Sequence, residues 1–184
     1  MSILEVIATA MGILSVWYAR KNNVLVFPTG IISVLIYVYI TYEYQIYAEA
    51  GINIYYFLMS VYGWILWTSK NKKIKKRISE NNLRDNIIYI SFFLISFLIL
   101  FFILQTTDSD VVLLDSITTS LSLTAMLLLA RRKIENWIYW IIADIIYIPL
   151  FIYKELYVTS FQYFVFLVLA ISGYIEWKLS LIHI

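Results

Sequence analysis

The 184-residue chain has no cysteine, a single histidine (His183), two prolines and five glycines, and only 14% of its residues are charged. Each shortage excludes something. Without cysteine there is no disulfide framework and no thiolate metal site, and one histidine near the end of the chain removes imidazole triads and His clusters. No metal site, no cofactor and no enzyme activity are therefore expected. A formal charge of +2 is too small to point to nucleic acid. What fills the space is apolar: 62% of residues are hydrophobic and 18% aromatic, with a mean hydropathy of +0.81. A soluble domain of this length runs nearer half apolar and a quarter charged, so the composition reads as a membrane protein.

A helix needs about 20 apolar residues to cross roughly 30 Å of hydrocarbon. Seven runs qualify, over approximately 3–19, 24–42, 51–68, 87–105, 111–130, 136–153 and 156–177. In lipid each must satisfy its own backbone hydrogen bonds, which predicts seven transmembrane helices in an all-α fold. The first run lacks a basic leader and ends in Arg20-Lys21, so it reads as a span and not as a cleaved signal. Thirteen of the 14 basic residues fall on one side: Arg20 and Lys21, the cluster from Lys70 to Arg84, Arg131 to Lys133, and Lys178. The other side has Lys154 and most of the acids, including Glu5, Glu49, Asp108 and Asp115. The basic side is expected inside, which sets the N-terminus outside and the C-terminus in the cytoplasm. The KNKKIKKR stretch at 70–77 could also be read as a nucleic-acid or lipid patch, but its place beside a span already gives it a topological task.

An internal echo accompanies the spans. Ala19-Arg20-Lys21 recurs as Ala130-Arg131-Arg132. Tyr47, Gly63 and Trp67 recur as Tyr157, Gly173 and Trp177, with the same two spacings and an offset one step shorter. The expected organisation is a single transmembrane domain over 1–184, with a three-helix repeat in 1–68, a basic loop and linker helix in 69–105, and a second repeat in 106–184. Three helices reverse the chain and the fourth restores its direction, giving parallel repeats in a 3+1+3 plan.

An ionisable residue deep in a span is costly and marks a candidate site. Asp144 is the one that qualifies. Trp137, Trp140, Asp144 and Tyr147 fall at i, i+3, i+7 and i+10, one face of the sixth helix. A carboxylate beside two indoles and a phenol suits an organic cation, through cation–π attraction and counter-charge. The same residues also read as interfacial Trp anchors, with Asp144 as a helix-packing or proton-coupling group. Asn53 and Tyr56 lie on a polar face of the third helix, and Gln162 lies beside the matching face of the seventh; their amides can both donate and accept. Ser116, Ser120 and Thr124 form a hydroxyl row on the fifth helix that either lines a path or packs helices. The expected outcome is a polar, ring-lined pocket near the bilayer's middle. Pro28 and Pro149 interrupt helical hydrogen bonding and are possible bends.

The runs ARKNNVLVFPTGIISVLIYVYI (19–40), YAEAGINIYYFLMSVYGWILW (47–67) and ARRKIENWIYWIIADIIYIPLFIYKELYVTSFQ (130–162) resemble the PnuC family of bacterial vitamin transporters. The likeness spans nearly the whole chain and includes the Trp-x-x-Trp of the sixth helix. It implies a SWEET-like fold in the inner membrane, often trimeric. It also implies uptake of nicotinamide riboside by facilitated diffusion, with retention by phosphorylation inside the cell. Thiamine, or less readily riboflavin, is the alternative cargo. The resemblance would have Trp137 and Trp140 flank the cargo ring, with Asn53 and Gln162 as polar partners; Asp144, Tyr147, Tyr56 and Ser120 join the expected contacts from their helix faces alone. A non-transporting membrane subunit is the reading from outside this class.

Overall fold

A computed structural model describes residues 3–43, 47–71, 76–107 and 110–182. His183, Lys72, Lys73, Lys75 and Asp108 lie outside them. The described chain forms seven helices: α1 (Ile3–Arg20), α2 (Val26–Glu43), α3 (Tyr47–Thr68), α4 (Leu83–Leu104), α5 (Val112–Ala130), α6 (Asn136–Tyr153) and α7 (Tyr157–Ile182). Six are long and apolar enough to cross a membrane. The exception, α3, has 22 residues; its tyrosines, tryptophans and Asn53 lower its hydropathy, not its length.

Helix ends differ from the apolar runs where polar caps decide them. The apolar run of α4 begins at Ile87, but the helix begins at Leu83, because Asn82 and Asp85 form a reciprocal capping box in the polar stretch before it. Helix α7 continues past Lys178 to Ile182. Pro28 lies in the first turn of α2, where a missing N–H costs nothing, and α6 runs through Pro149.

The chain divides into two compact units, Met1–Arg77 with Ala130–Arg132, and Ile78–Leu129 with Lys133–Ile184. In the first, α1 packs on α2 and α2 on α3. Serine hydroxyls tie α1 to α2: Ser15 Oγ donates to the Val26 carbonyl at 2.7 Å and Ser33 Oγ to the Ala8 carbonyl at 2.8 Å. Close to the first of these, Gly30 lies beside the Ser15 hydroxyl. In the second unit α6 packs on α7. Helix α5 is the most enclosed, with 56% of its spanning window buried against 11% for α4. Its buried hydroxyls bond backward to their own helix, Ser116 to Val112, Ser120 to Ser116 and Thr124 to Ser120, which satisfies their donors without water.

One turn occurs twice in the backbone. Asn22 and Arg132 are both left-handed, with φ of 51° and 54°. Behind each, the next amide closes the same helix stop: Asn23 donates to Tyr18 and Lys133 to Leu128, both at 2.9 Å. The following helices open alike, Val26 bonding to Asn23 and Asn136 to Lys133 at 3.1 Å. The turn therefore aligns Asn22, not Lys21, with Arg132, and this is the offset that also relates Gly63 to Gly173. The similarity of Ala-Arg-Lys to Ala-Arg-Arg, out of step by one, is a likeness of composition and not of position.

Candidate functional site

The candidate face of α6 divides when its neighbours are seen. Trp137 is 1% exposed and Asp144 2%, whereas Trp140 and Tyr147 are half-buried. The indole of Trp137 lies against Gly173 of α7. A Cβ on that glycine would fall 2.7 Å from the ring, so only hydrogen fits there. Trp177, one turn on, meets the same indole edge to face at 5.5 Å and 88°. Trp137 is thus enclosed by α7, a surrounding that its spacing on α6 could not reveal.

The other end of the α6–α7 pair is pinned by rings as well. Tyr147 meets Tyr163 at 4.4 Å, and Phe151 stacks on Tyr163 at 5.1 Å and 14°. Ser160 Oγ donates to the Ile148 carbonyl at 2.9 Å, just before Pro149. At the same end Lys154 at the close of α6 forms an ion pair with Asp115 in the first turn of α5 at 3.0 Å. Phe151 belongs to the aromatic group but does not stand out in the sequence, whereas Tyr163 lies on the α7 face that matches the polar face of α3. The i, i+4 spacing of Tyr147 and Phe151 was the available signal; the ring arriving from α7 was not.

Between the two pins lie Trp140, Ala143 and Asp144. Among the described residues the Asp144 Oδ2 atom is buried without a hydrogen-bond partner. A carboxyl so placed is costly unless a proton or a cation balances it. The remaining expected residues are distributed as follows. Gln162 is half-buried on α7, next to Tyr163. Ser120 is wholly buried, and its hydroxyl donates to the Ser116 carbonyl at 2.7 Å; its hydrogen is spent within α5, leaving only lone pairs. In the first unit Asn53 donates from Nδ2 to the Glu49 carbonyl at 2.9 Å, which leaves its amide oxygen to accept, and Tyr56 is half-buried one turn further on.

The first unit has its own version of the ring-on-glycine contact. Phe27 covers Gly63, where a Cβ would fall 2.5 Å from the ring, and Trp67 meets Phe27 at 4.9 Å and 86°. Phe27, Gly63 and Trp67 stand one constant offset before Trp137, Gly173 and Trp177. Trp67 also donates from Nε1 to the Ala130 carbonyl at 3.1 Å, and the Arg132 guanidinium sits 3.9 Å above its ring. Burial lowers the Arg132 pKa to about 10, so it is still a cation at neutral pH.

The nicotinamide mononucleotide transporter family profile matches residues 2–179. The chain belongs to this family. Its relatives include the nicotinamide riboside transporter PnuC of Escherichia coli, 25% identical over 96% of this chain and 85% of that protein. The PnuC of Neisseria mucosa is 24% identical over 95% of this chain and 71% of its own length. A crystal structure of the vitamin B3 transporter PnuC shares the fold, with a TM-score of 0.73 at 23% identity over 95% of this chain and 80% of that one. Family membership and the apolar helices make the chain a multi-pass inner-membrane transporter.

Proposed function

We propose that the protein takes up nicotinamide riboside by facilitated diffusion, with retention by phosphorylation inside the cell. The observation that carries the cargo is Asp144, a buried carboxyl with an unpartnered oxygen on a helix face shared with Trp140 and Tyr147. The riboside's pyridinium supplies the missing positive charge, and its flat ring suits stacking. The phosphate of the mononucleotide would put negative charge beside that carboxyl and is disfavoured. Trp140, Asp144, Tyr147 and Gln162 are the proposed cargo contacts of the second unit. In the first unit, Asn53 and Tyr56 are proposed for the cargo's carboxamide and hydroxyls.

The proposed architecture is a single transmembrane domain in which α3 is the seventh span. Repeats over 1–68 and 106–184 and a linker over 69–105 make a 3+1+3 plan with parallel repeats. The bias of basic residues supports an outer N-terminus and a cytoplasmic C-terminus. A homotrimer is proposed on the resemblance alone. No nucleophile–base pair is proposed, and transport without catalysis is the reading.

Uptake of labelled riboside into vesicles, with thiamine as competitor, tests the cargo. Saturable uptake unchanged by collapsing the proton gradient and undisturbed by thiamine is expected. Competition by thiamine but not by unlabelled riboside would transfer the proposal to thiamine, whose thiazolium satisfies Asp144 equally well. Asp144→Asn is expected to weaken riboside binding about tenfold or more.

A further inference from the structure

The two ring-on-glycine contacts perform one packing task with different rings. Phe27 on Gly63 and Trp137 on Gly173 are both nearly fully buried, both lie too close to the glycine for any side chain, and both meet a tryptophan edge to face. Phe27 has no N–H, so the task needs a flat ring and no indole. The Trp137 Nε1 atom agrees, being buried without a partner among the described residues. A cargo-stacking ring needs an open face, and Trp137 is enclosed against Gly173 and Trp177.

Its position shows what the contact achieves. Trp137, Gly173 and Trp177 fasten α6 to α7 at one end, and Tyr147, Phe151 and Tyr163 fasten them at the other. Trp140 and Asp144 lie on the stretch of α6 held between. Loosening either pin lets α6 rotate or tilt on α7, and a small shift there moves both groups. We propose that Trp137 is a positioning residue: wedged on Gly173 and braced by Trp177, it fixes how α6 presents Trp140 and Asp144, and it does not itself touch the cargo. The riboside reading above enters only in the choice of ligand for the test.

The test uses the purified full-length protein with Trp137→Phe, Trp137→Ala, Gly173→Ala and Trp140→Phe. Riboside is titrated against tryptophan fluorescence, which a stacked pyridinium quenches, and melting is followed in parallel. Trp137→Phe is expected to bind within about threefold of the parent and to keep the ligand-induced quenching. Trp137→Ala and Gly173→Ala are expected to lose about tenfold or more in affinity, and Trp140→Phe to lose affinity together with most of the quenching. Loss of quenching in Trp137→Phe to the extent seen in Trp140→Phe would overturn the proposal, as would parental affinity and melting in Trp137→Ala. If the parent protein neither binds nor quenches with riboside, the cargo reading fails. The melting order then still decides the pin: Phe equal to the parent and Ala well below it supports the proposal, and Ala equal to the parent refutes it.

Discussion

The two units solve one packing problem with one geometry and then diverge in chemistry. Two corresponding stretches of chain stop a helix on a left-handed residue, Asn22 and Arg132 (the latter packing with the first unit), and reopen the next helix a few residues later. Each unit covers a glycine with a ring that a tryptophan meets on edge. Further along the same helices they part. Tyr147, Phe151 and Tyr163 stack in the second unit. At the matching positions of the first unit are Tyr37, Thr41 and Asn53, which make hydrogen bonds: Tyr37 with Thr9 at 3.0 Å, Thr41 to the Tyr37 carbonyl and Asn53 to the Glu49 carbonyl. What repeats is the fastening of helices. What differs is the chemistry further along, ring stacking in one unit and hydrogen bonding in the other.

The strongest way to break the comparison is to add a methyl group where each unit permits none. Gly63→Ala and Gly173→Ala are both expected to destabilise the protein, by roughly 1–3 kcal/mol for overpacking, measured by thermal melting in detergent. The first should cost more. A Cβ on Gly63 meets the Phe27 ring at 2.5 Å and the Ala130 Cα at 3.1 Å, whereas the three nearest atoms to a Cβ on Gly173 belong to one indole that can tilt. Equal melting of both variants and the parent would mean that the fastenings are ornamental.

Transplanting a residue from one unit to the other tests the divergence. Tyr163→Asn places in α7 the residue that α3 has at the same position. It removes the ring contacts to Tyr147 and Phe151, each worth about 0.5–1.5 kcal/mol beyond buried area. Melting is expected to fall accordingly, and Tyr163→Phe to remain near the parent. If Tyr163→Phe falls as far as Tyr163→Asn, the phenol hydroxyl and not the stack holds that end.

The turns offer a finer comparison. Arg132 occupies the left-handed position that Asn22 fills in the first turn, and asparagine tolerates that backbone well. Arg132→Asn is expected to lose the stacking on Trp67 and the bond from Nη1 to the Lys76 carbonyl, about 1 kcal/mol in sum. Arg132→Ala should lose the same contacts and fall below Arg132→Asn by up to roughly 1 kcal/mol, because alanine keeps the Cβ cost that arginine already bears at this φ and asparagine relieves it. Burial lowers the Arg132 pKa from the ordinary guanidinium value to about 10, so the folded state disfavours its charge. That cost is present at all pH values below about 10 and is relieved as pH climbs from there toward the ordinary guanidinium value. The stability difference between the parent and the Arg132→Asn variant should therefore be flat around neutral pH.

Much of this is legible in the chain, and the gaps have physical reasons. Seven apolar runs give seven helices because hydrocarbon thickness dictates their length. Hydropathy places the start of α4 a turn late because Asn82 and Asp85 cap it from within a polar stretch that hydropathy ignores. The α6 face follows from helical spacing, yet which of its members is enclosed depends on Gly173 and Trp177, whose arrival from α7 no local period announces. Phe27 escapes notice for a related reason: its kinship with Trp137 is one of place, and phenylalanine does not look like tryptophan in an alignment by identity. The same cause sets Ala-Arg-Lys out of register, since the turn is fixed by which residue takes positive φ and not by which is charged.

The smallest expected effect separates two lysines on the basic side. At the position where the first unit has Asn23, whose Oδ1 accepts from the Leu25 amide at 2.9 Å, the second has Lys133. Lys133 reaches back to the segment before α4, bonding Asp85 Oδ2 at 2.8 Å and the Glu80 carbonyl at 2.9 Å. The backbone follows, with the Ile134 amide donating to Ser79 at 3.0 Å and the Asn81 amide to Glu135 Oε1 at 2.7 Å. Lys178, by contrast, pairs with Glu80 through two side chains that are both largely in solvent. Lys133→Asn, which restores the first unit's residue, is expected to lower melting by a few degrees at low salt, since it removes a shielded ion pair and a carbonyl contact together. Lys178→Met is expected to leave melting unchanged, because an exposed pair gains little and is screened. Raising ionic strength should shrink the Lys133 effect only in part, as the carbonyl bond and the backbone pairing do not depend on free charge. If high salt erased it entirely, the segment before α4 would be held by charge alone, and the second unit's turn would differ from the first only in its electrostatics.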